Sequence, residues 1–333
     1  MLNRFMSLPA LVGVFAAAWL SVTPAQAKEL TMASPLPPSH RFTPAYLQAY
    51  ADRLKEVSGG QLTVKLYTGG SLNPAVPKQY SMLLDGVFDM AFVAPIYTAA
   101  VFPTTNTVSV PGVCADAEAC TKALWRAYPL IEKETNAKIL AMWTNENPAL
   151  ITKGKAVRKA TDMKGLKVRI SGPGEAPYWS AMGAAPVSQD VTEINQNLAN
   201  GVIDGIAIDP ASIISFKLNE VGKFVTLGVP AQGIAFSLMM NKQTYASLST
   251  QERKWIDAVA GEAFSLAGVK HAGDEDRRAI EVAKKSGMEV IQLSADEVRG
   301  LTSTVEPEVA KFRAQKFRTG VTGAQAFDMM KGQ

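Results

Sequence analysis

Leu30-Thr31-Met32 reads as a strand, and after a proline-rich loop Tyr46, Leu47, Tyr50, Leu54 and Val57 recur at helical spacing until Gly59-Gly60. Leu62-Thr63-Val64-Lys65-Leu66-Tyr67 then alternates as a second strand, a helix follows over 76–84, and Asp89-Met90-Ala91-Phe92-Val93 forms a third strand. Apolar residues repeating every 3.6 positions, set between runs that alternate, mark helices between strands. This βαβαβ order predicts an α/β unit with a parallel sheet and helices on its faces.

A second cycle begins at Lys138-Ile139-Leu140-Ala141-Met142-Trp143 and continues through Gly165-Leu166-Lys167-Val168-Arg169-Ile170, helices near 177–182 and 193–198, and a strand over 202–208. The spacing places a second α/β unit over roughly 149–235, with Phe236-Ser237-Leu238-Met239-Met240-Asn241 returning between the units as a strand. No repeat or low-complexity linker separates them, so several strand crossings are expected to join them. A proline-free run over 250–285 opens with the capping box Ser249/Glu252 and carries Trp255, Ile256, Val259, Ala263, Phe264 and Ala267 as an apolar stripe. It predicts one long helix lying across both units. A further capping box, Ser294/Glu297, opens another helix, which Pro307 is expected to bend or interrupt.

Met1-Leu2-Asn3-Arg4, the apolar stretch over 8–20 and Ala25-Gln26-Ala27 have the layout of a cleaved secretory signal peptide, which predicts export. Downstream, no apolar segment approaches 18 residues, so the mature protein is expected to be soluble. At 333 residues two domains are expected rather than one. The formal charge is +4, and Lys and Arg are scattered with no basic run beyond Lys284-Lys285, so no nucleic-acid partner is expected. The two cysteines, Cys114 and Cys120, lie six residues apart. In an oxidising compartment they form either a disulfide or two small core residues, and no metal-ligand spacing accompanies them.

The search for catalytic chemistry finds little. The only histidines are His40 and His271; neither stands at metal-ligand spacing or beside a nucleophile elbow. His40, in the loop after the first strand, reads as a solvated loop histidine rather than a cleft residue, and His271 as part of an exposed helix face. Gly172-Pro173-Gly174 lacks the residues that would cradle a phosphate, and no cofactor is expected. Arg169 remains. It ends a strand just before that glycine turn, and its side chain alternates with Val168 and Ile170, a direction that leads toward a cleft at the carboxyl end of a strand. A guanidinium pairs a carboxylate through two parallel hydrogen bonds. Spacing alone favours a surface arginine.

Asp162-Met163-Lys164-Gly165-Leu166-Lys167-Val168-Arg169, Ala181-Met182-Gly183-Ala184-Ala185-Pro186-Val187, Glu193-Ile194 and Asn200-Gly201-Val202-Ile203-Asp204-Gly205 resemble the motif run of TRAP (tripartite ATP-independent periplasmic) transporter solute-binding proteins. The resemblance extends in order from Gly70-Ser71-Leu72, Gly86-Val87-Phe88-Asp89-Met90 and Phe102-Pro103 to Asn219-Glu220-Val221 and Met240-Asn241, nearly the whole mature chain. It implies a two-lobed periplasmic binding protein fold (type II-like) with a long helix spanning both lobes. It also implies a non-enzymatic receptor that delivers a small organic carboxylate to TRAP membrane subunits, with Arg169 in the place of the family's carboxylate-binding arginine.

The chain departs from the family after Asp204-Gly205, where Ile206-Ala207-Ile208-Asp209-Pro210 replaces a polar stretch, and at 144–150, where the second arginine of sugar-acid binders has no counterpart. These departures favour an aromatic or sparsely hydroxylated carboxylate over a sugar acid. Tyr97, Asn147 and Phe236 are further candidate pocket residues because each lies beside a strand end at the lobe junction, although the aromatics fit a core equally well. Trp179 is expected to pack. Asp209 either accepts from a ligand hydroxyl or, the preferred reading, caps the helix that Pro210 begins. The expected division is 1–27 as signal peptide, 28–148 with about 236–275 as lobe I, and 149–235 with about 276–333 as lobe II. The competing functions are an ABC-type receptor or sensor domain and, from another class, a periplasmic hydrolase or lyase built on His40 or His271.

Overall fold

The computed structural model describes residues 27–333. The signal peptide expected over 1–27 therefore lies, apart from Ala27, outside the described residues. Eleven strands form two sheets: β1 (Lys28–Ala33), β2 (Leu62–Tyr67), β3 (Met90–Val93), β4 (Ala137–Thr144), β5 (Ala149–Thr152), β6 (Lys167–Ile170), β7 (Ala185–Ser188), β8 (Gly205–Ile208), β9 (Phe224–Leu227), β10 (Ala235–Asn241) and β11 (Glu289–Gln292). The first sheet has the order β2-β1-β3-β10-β4 and the second β11-β9-β5-β8-β6-β7.

The expected parallel pairings are present, β1 with both β2 and β3, and β6 with both β7 and β8. Each sheet also takes in one strand running the other way. β10 enters the first sheet antiparallel to β3 and β4, and β5 enters the second antiparallel to β8 and β9. These two strands mark where the chain crosses between the sheets, at 144–149 and again at 227–235. Two covalent crossings side by side restrict relative motion of the lobes to a hinge more than a flexible tether would.

The lobe I core is aromatic. Tyr46 stacks on Trp143 with ring centroids 3.8 Å apart, and Phe42, Phe92 and Phe236 gather round the same indole. The core under the second sheet is aliphatic, built on Ile151, Ile194, Leu198, Ile206 and Val225.

The helix expected over 250–285 is shorter than that span. Thr250–Ala258 is a separate helix that keeps its Ser249/Glu252 capping box. The chain then turns at Gly261, whose φ of 97° lies in the left-handed region that favours glycine. The element that reaches both lobes is the pair Glu262–Ala272 and Asp274–Lys285, joined through Gly273 in helical conformation. Its first half packs on β4 and its second on β11 and the Ser212–Ser215 helix. Pro307 does not end the next helix, which runs through it from Ala295 to Ala314.

The division expected for 276–333 fails at its end. The last helix, Gly323–Lys331, returns to lobe I and packs against Ala117–Arg126. Its buried Ala326, Phe327 and Met330 need that apolar surface. Cys114 and Cys120 are joined as a disulfide, with Cα atoms 5.2 Å apart. Among the described residues no helix is long and apolar enough to cross a membrane.

Candidate functional site

A cavity of about 50 Å³ lies between the two sheets, lined from both lobes. At roughly 10–15 Å³ for each water, it is a compact space. The β-strand ends that border it carry its polar groups, while Phe42, Phe92, Phe216 and Phe236 supply apolar wall.

Arg169, in the middle of the motif strand β6, is 1% exposed. Its Nε and Nη2 donate to the Gln189 carbonyl at 3.1 and 2.9 Å, Nη2 also donates to the Tyr97 hydroxyl at 2.7 Å, and Nη1 to Ser171 Oγ at 3.3 Å. The Nε/Nη2 edge of the fork is thus spent on a backbone carbonyl that orients it, the second Nη2 proton goes to the phenol, and one Nη1 proton has no acceptor among the described residues. Among the described residues no carboxylate oxygen makes an ion pair with Arg169. Glu175 lies nearby, but its Oε2 accepts from the backbone N–H groups of Ser171 and Gly172 at 2.8 and 3.0 Å. Burial pushes the Glu175 carboxyl up, opposed by those N–H groups and by Arg169.

Tyr97 follows β3 in lobe I, so its bond to Arg169 crosses the cleft. Its oxygen also accepts from Val191 N–H at 3.2 Å, which leaves its own proton to donate. Burial raises the Tyr97 phenol above its usual value, against the pull of Arg169, so that proton is retained at neutral pH.

A second polar cluster is built on Arg41. Its guanidinium is buried between Asp209 (Nη2 to Oδ1, 2.7 Å) and Asp276 (through Nη1). Asp209 also accepts from Asn145 Nδ2 at 2.9 Å and Ser212 Oγ at 3.1 Å. Asn145 in turn accepts from Ile234 N–H at 2.7 Å, which ties the cluster to the second crossing.

Of the residues expected from sequence, Arg169, Tyr97, Phe236 and Asp209 line this one cavity. Asn147 does not. Its Nδ2 donates to the Ala115 carbonyl and its Oδ1 accepts from Gly233 N–H, so it pins the two crossings to each other. The residue two positions earlier, Asn145, reaches the cavity instead. Asp209 is not a helix cap: the Ser212–Ser215 helix has no side-chain cap bond, and the carboxylate is taken by Arg41, Asn145 and Ser212. His40 is the larger correction. It is buried at 6% exposure in the cavity wall, where burial, with Arg41 adding to it, lowers its pKa to about 3. The rule that ligands gather at strand ends singles out this loop, but a polar loop reads as solvated until a facing lobe covers it. Trp179 is buried in a hydrophobic cluster with Val168 and Ile170, packed as expected.

The family model for bacterial extracellular solute-binding protein, family 7, matches residues 33–316. The chain belongs to this family. It is a TRAP solute-binding protein, and its two-sheet, two-lobed α/β fold is this family's architecture. A solute-binding protein of Albidiferax ferrireducens is 27% identical over 260 residues, 76% of each chain. Among solved structures, a marine metagenome TRAP solute-binding protein specific for aromatic acid ligands, from an unidentified microbe, superposes with a TM-score of 0.86 at 26% identity. That match covers 91% of this chain and 97% of the other. A TRAP solute-binding protein of Rhodoferax ferrireducens, in complex with copurified benzoate, has a TM-score of 0.87 at 24% identity, covering 92% and 97%, and supports the fold.

Proposed function

We propose that this TRAP receptor, exported to the periplasm through a cleaved signal peptide, captures an aromatic or sparsely hydroxylated monocarboxylate between its lobes and hands it unchanged to the membrane subunits. The observation that carries this reading is Arg169: a buried guanidinium with no carboxylate partner among the described residues, at the edge of an aromatic cavity. A buried cation without a counter-charge is costly, and a ligand anion supplies the missing charge.

In this reading the ligand carboxylate takes the remaining N–H of Arg169 Nη1 and the spare proton of Tyr97. The Phe42, Phe92 and Phe236 faces receive an apolar body. Because Tyr97 and Arg169 come from different lobes, their bond forms only as the lobes close, which couples capture to hinge motion. The lobes are taken as 28–148 with about 236–275, and 149–235 with the rest of the chain up to the last helix. The aromatic specificity of the marine structural neighbour supports the ligand class.

Neither histidine supports turnover. Among the described residues His40 makes no hydrogen bond to a carboxylate, and its lowered pKa makes it a weak base. His271 lies on the exposed side of Glu262–Ala272.

A thermal-shift screen against benzoates, arylacetates, C4-dicarboxylates and sugar acids tests the proposal. A ligand at 100 times its Kd adds about 2.7 kcal/mol of stability. Aromatic monocarboxylates should stabilise the protein and be recovered chemically intact. Stabilisation by sugar acids alone, by no carboxylate at all, or with accumulation of a product would overturn it.

A further inference from the structure

Apart from Gln232, which is held by the Cys114 carbonyl, the polar groups in and behind the cavity wall fall into two sets with no hydrogen bond between them among the described residues. One is Arg169 with Tyr97, Ser171 and Glu175; the other is Asp209 with Arg41, Asn145 and Ser212, and His40 stands beside it. The proposed function uses only the first set. His40 Nδ1 accepts from Phe42 N–H at 3.2 Å. An imidazole that accepts at Nδ1 must carry its proton on Nε2. No group of the described residues accepts from that Nε2–H. The ring is held from two sides, tilted against Phe42 at 5.0 Å and edge-on to Phe216 at 5.7 Å, so the donor has a fixed direction.

We infer that His40 is a specificity-determining residue whose Nε2–H donates to an uncharged oxygen on the ligand, so that the preferred solute is an aromatic monocarboxylate bearing a hydroxyl or carbonyl group. This inference rests on the Arg169 reading and goes beyond it to the second end of the ligand. The neighbouring Asp209 explains why that group must be uncharged. Arg41 is already matched by Asp209 and Asp276, so a second ligand carboxylate would meet Asp209 with no free cation to offset it. A hydroxyl suits both neighbours, because it can accept from His40 and donate to Asp209 Oδ1, which among the described residues accepts only from Arg41. The lowered pKa of His40 agrees with a neutral donor rather than an imidazolium that would attract an anion.

Titration calorimetry with benzoate, 3-hydroxybenzoate, 4-hydroxybenzoate and the 1,3-dicarboxylate isophthalate tests this. The wild-type protein should bind at least one hydroxybenzoate about tenfold tighter than benzoate, the effect of one added hydrogen bond within the closed cleft. Isophthalate should bind more weakly than benzoate. His40→Leu should bring the hydroxybenzoate-to-benzoate ratio below about 3, leave benzoate affinity within a similar factor, and abolish the discrimination that His40→Gln, which keeps an N–H at that reach, largely preserves.

Equal wild-type affinity for all three monocarboxylates, or a ratio unchanged in His40→Leu, overturns the assignment of His40 while leaving Arg169 intact. If His40→Leu fails to fold, the wild-type series and His40→Gln still decide. If no aromatic carboxylate binds, the reading of Arg169 fails first and this inference with it.

Discussion

Replacing Arg169 separates a receptor arginine from a structural one, because the first role shows in affinity and the second in stability. The side chain is 1% exposed and donates to Gln189 O, Tyr97 and Ser171, with no carboxylate paired to it among the described residues. Without ligand, Arg169→Met strands the Gln189 carbonyl, a loss of about 1–3 kcal/mol. It also removes a buried charge that has no ion-pair partner and only the nearby Glu175 to offset its desolvation, a gain of at most the same order. Stability of the ligand-free protein should therefore change by no more than about 1–2 kcal/mol in either direction. Binding has no such cancellation. Loss of a buried charge-assisted contact to the ligand carboxylate costs about 2–5 kcal/mol, roughly 30-fold to several thousand-fold in Kd. Arg169→Lys keeps the charge but cannot hold Gln189 and a carboxylate in one plane, so it should also bind weakly. Calorimetric titration with an aromatic acid gives the affinities, and urea unfolding of the ligand-free proteins gives the stabilities. Affinity within about fivefold of wild type in Arg169→Met would refute the argument, as would a stability loss large enough to explain the binding defect.

Arg41→Met, by contrast, leaves Asp209 and Asp276 buried without their shared cation, so it should destabilise the protein by about 3–5 kcal/mol in urea unfolding. Gly268→Ala should be destabilising by about 1–3 kcal/mol although alanine favours helices, because a Cβ there would run into the Tyr46 ring stacked on Trp143. Removing the Cys114–Cys120 link by reduction or Cys→Ser should lower stability by about 2 kcal/mol, the entropy of a short closed loop. His40 has a folded-state pKa of about 3, below its usual 6.5, so the unfolded chain binds the extra proton and the contribution of neutral His40 is present above about pH 6.5 and lost as pH falls toward 3. His40→Leu should therefore show a shallower loss of stability than wild type across that window, and parallel curves would contradict a buried neutral imidazole.

The two α/β units and their crossings were legible because periodicity reports burial directly: β8 is a buried apolar run, and the Tyr46, Tyr50 and Leu54 stripe became the lobe I core. The long helix was overextended because Trp255, Ile256 and Val259 keep the apolar period across a break that only the φ of Gly261 reveals. Arg169 could be placed because strand alternation fixes its direction, whereas periodicity says nothing about residues in the crossings. Asn145 and Asn147 differ by two positions in an extended segment, so no sequence rule separates the one that faces the cavity from the one that ties the crossings. His40 and Arg41 were hidden for a related reason. Their burial is created by the other lobe, through Asp209 and Phe216, more than 160 residues away along the chain.

The two buried arginines of the cleft show how pairing assigns roles that residue type does not. Arg41 and Arg169 are both nearly inaccessible, both follow or end a strand at the cleft, and both are bonded across the lobes. Arg41 meets two carboxylates, so its charge is more than neutralised by the protein and exerts little pull on a ligand anion. Arg169 meets only neutral oxygens: a backbone carbonyl, a phenol and a serine hydroxyl. Those oxygens orient its fork without cancelling its charge, which is the condition for a receptor that is preorganised and still attractive to an anion. Exchanging the two environments would exchange the roles. An Asp209→Asn substitution moves Arg41 part of the way, leaving Asp276 as its only carboxylate, and so should relax the discrimination against isophthalate while leaving benzoate affinity, set at Arg169, nearly unchanged.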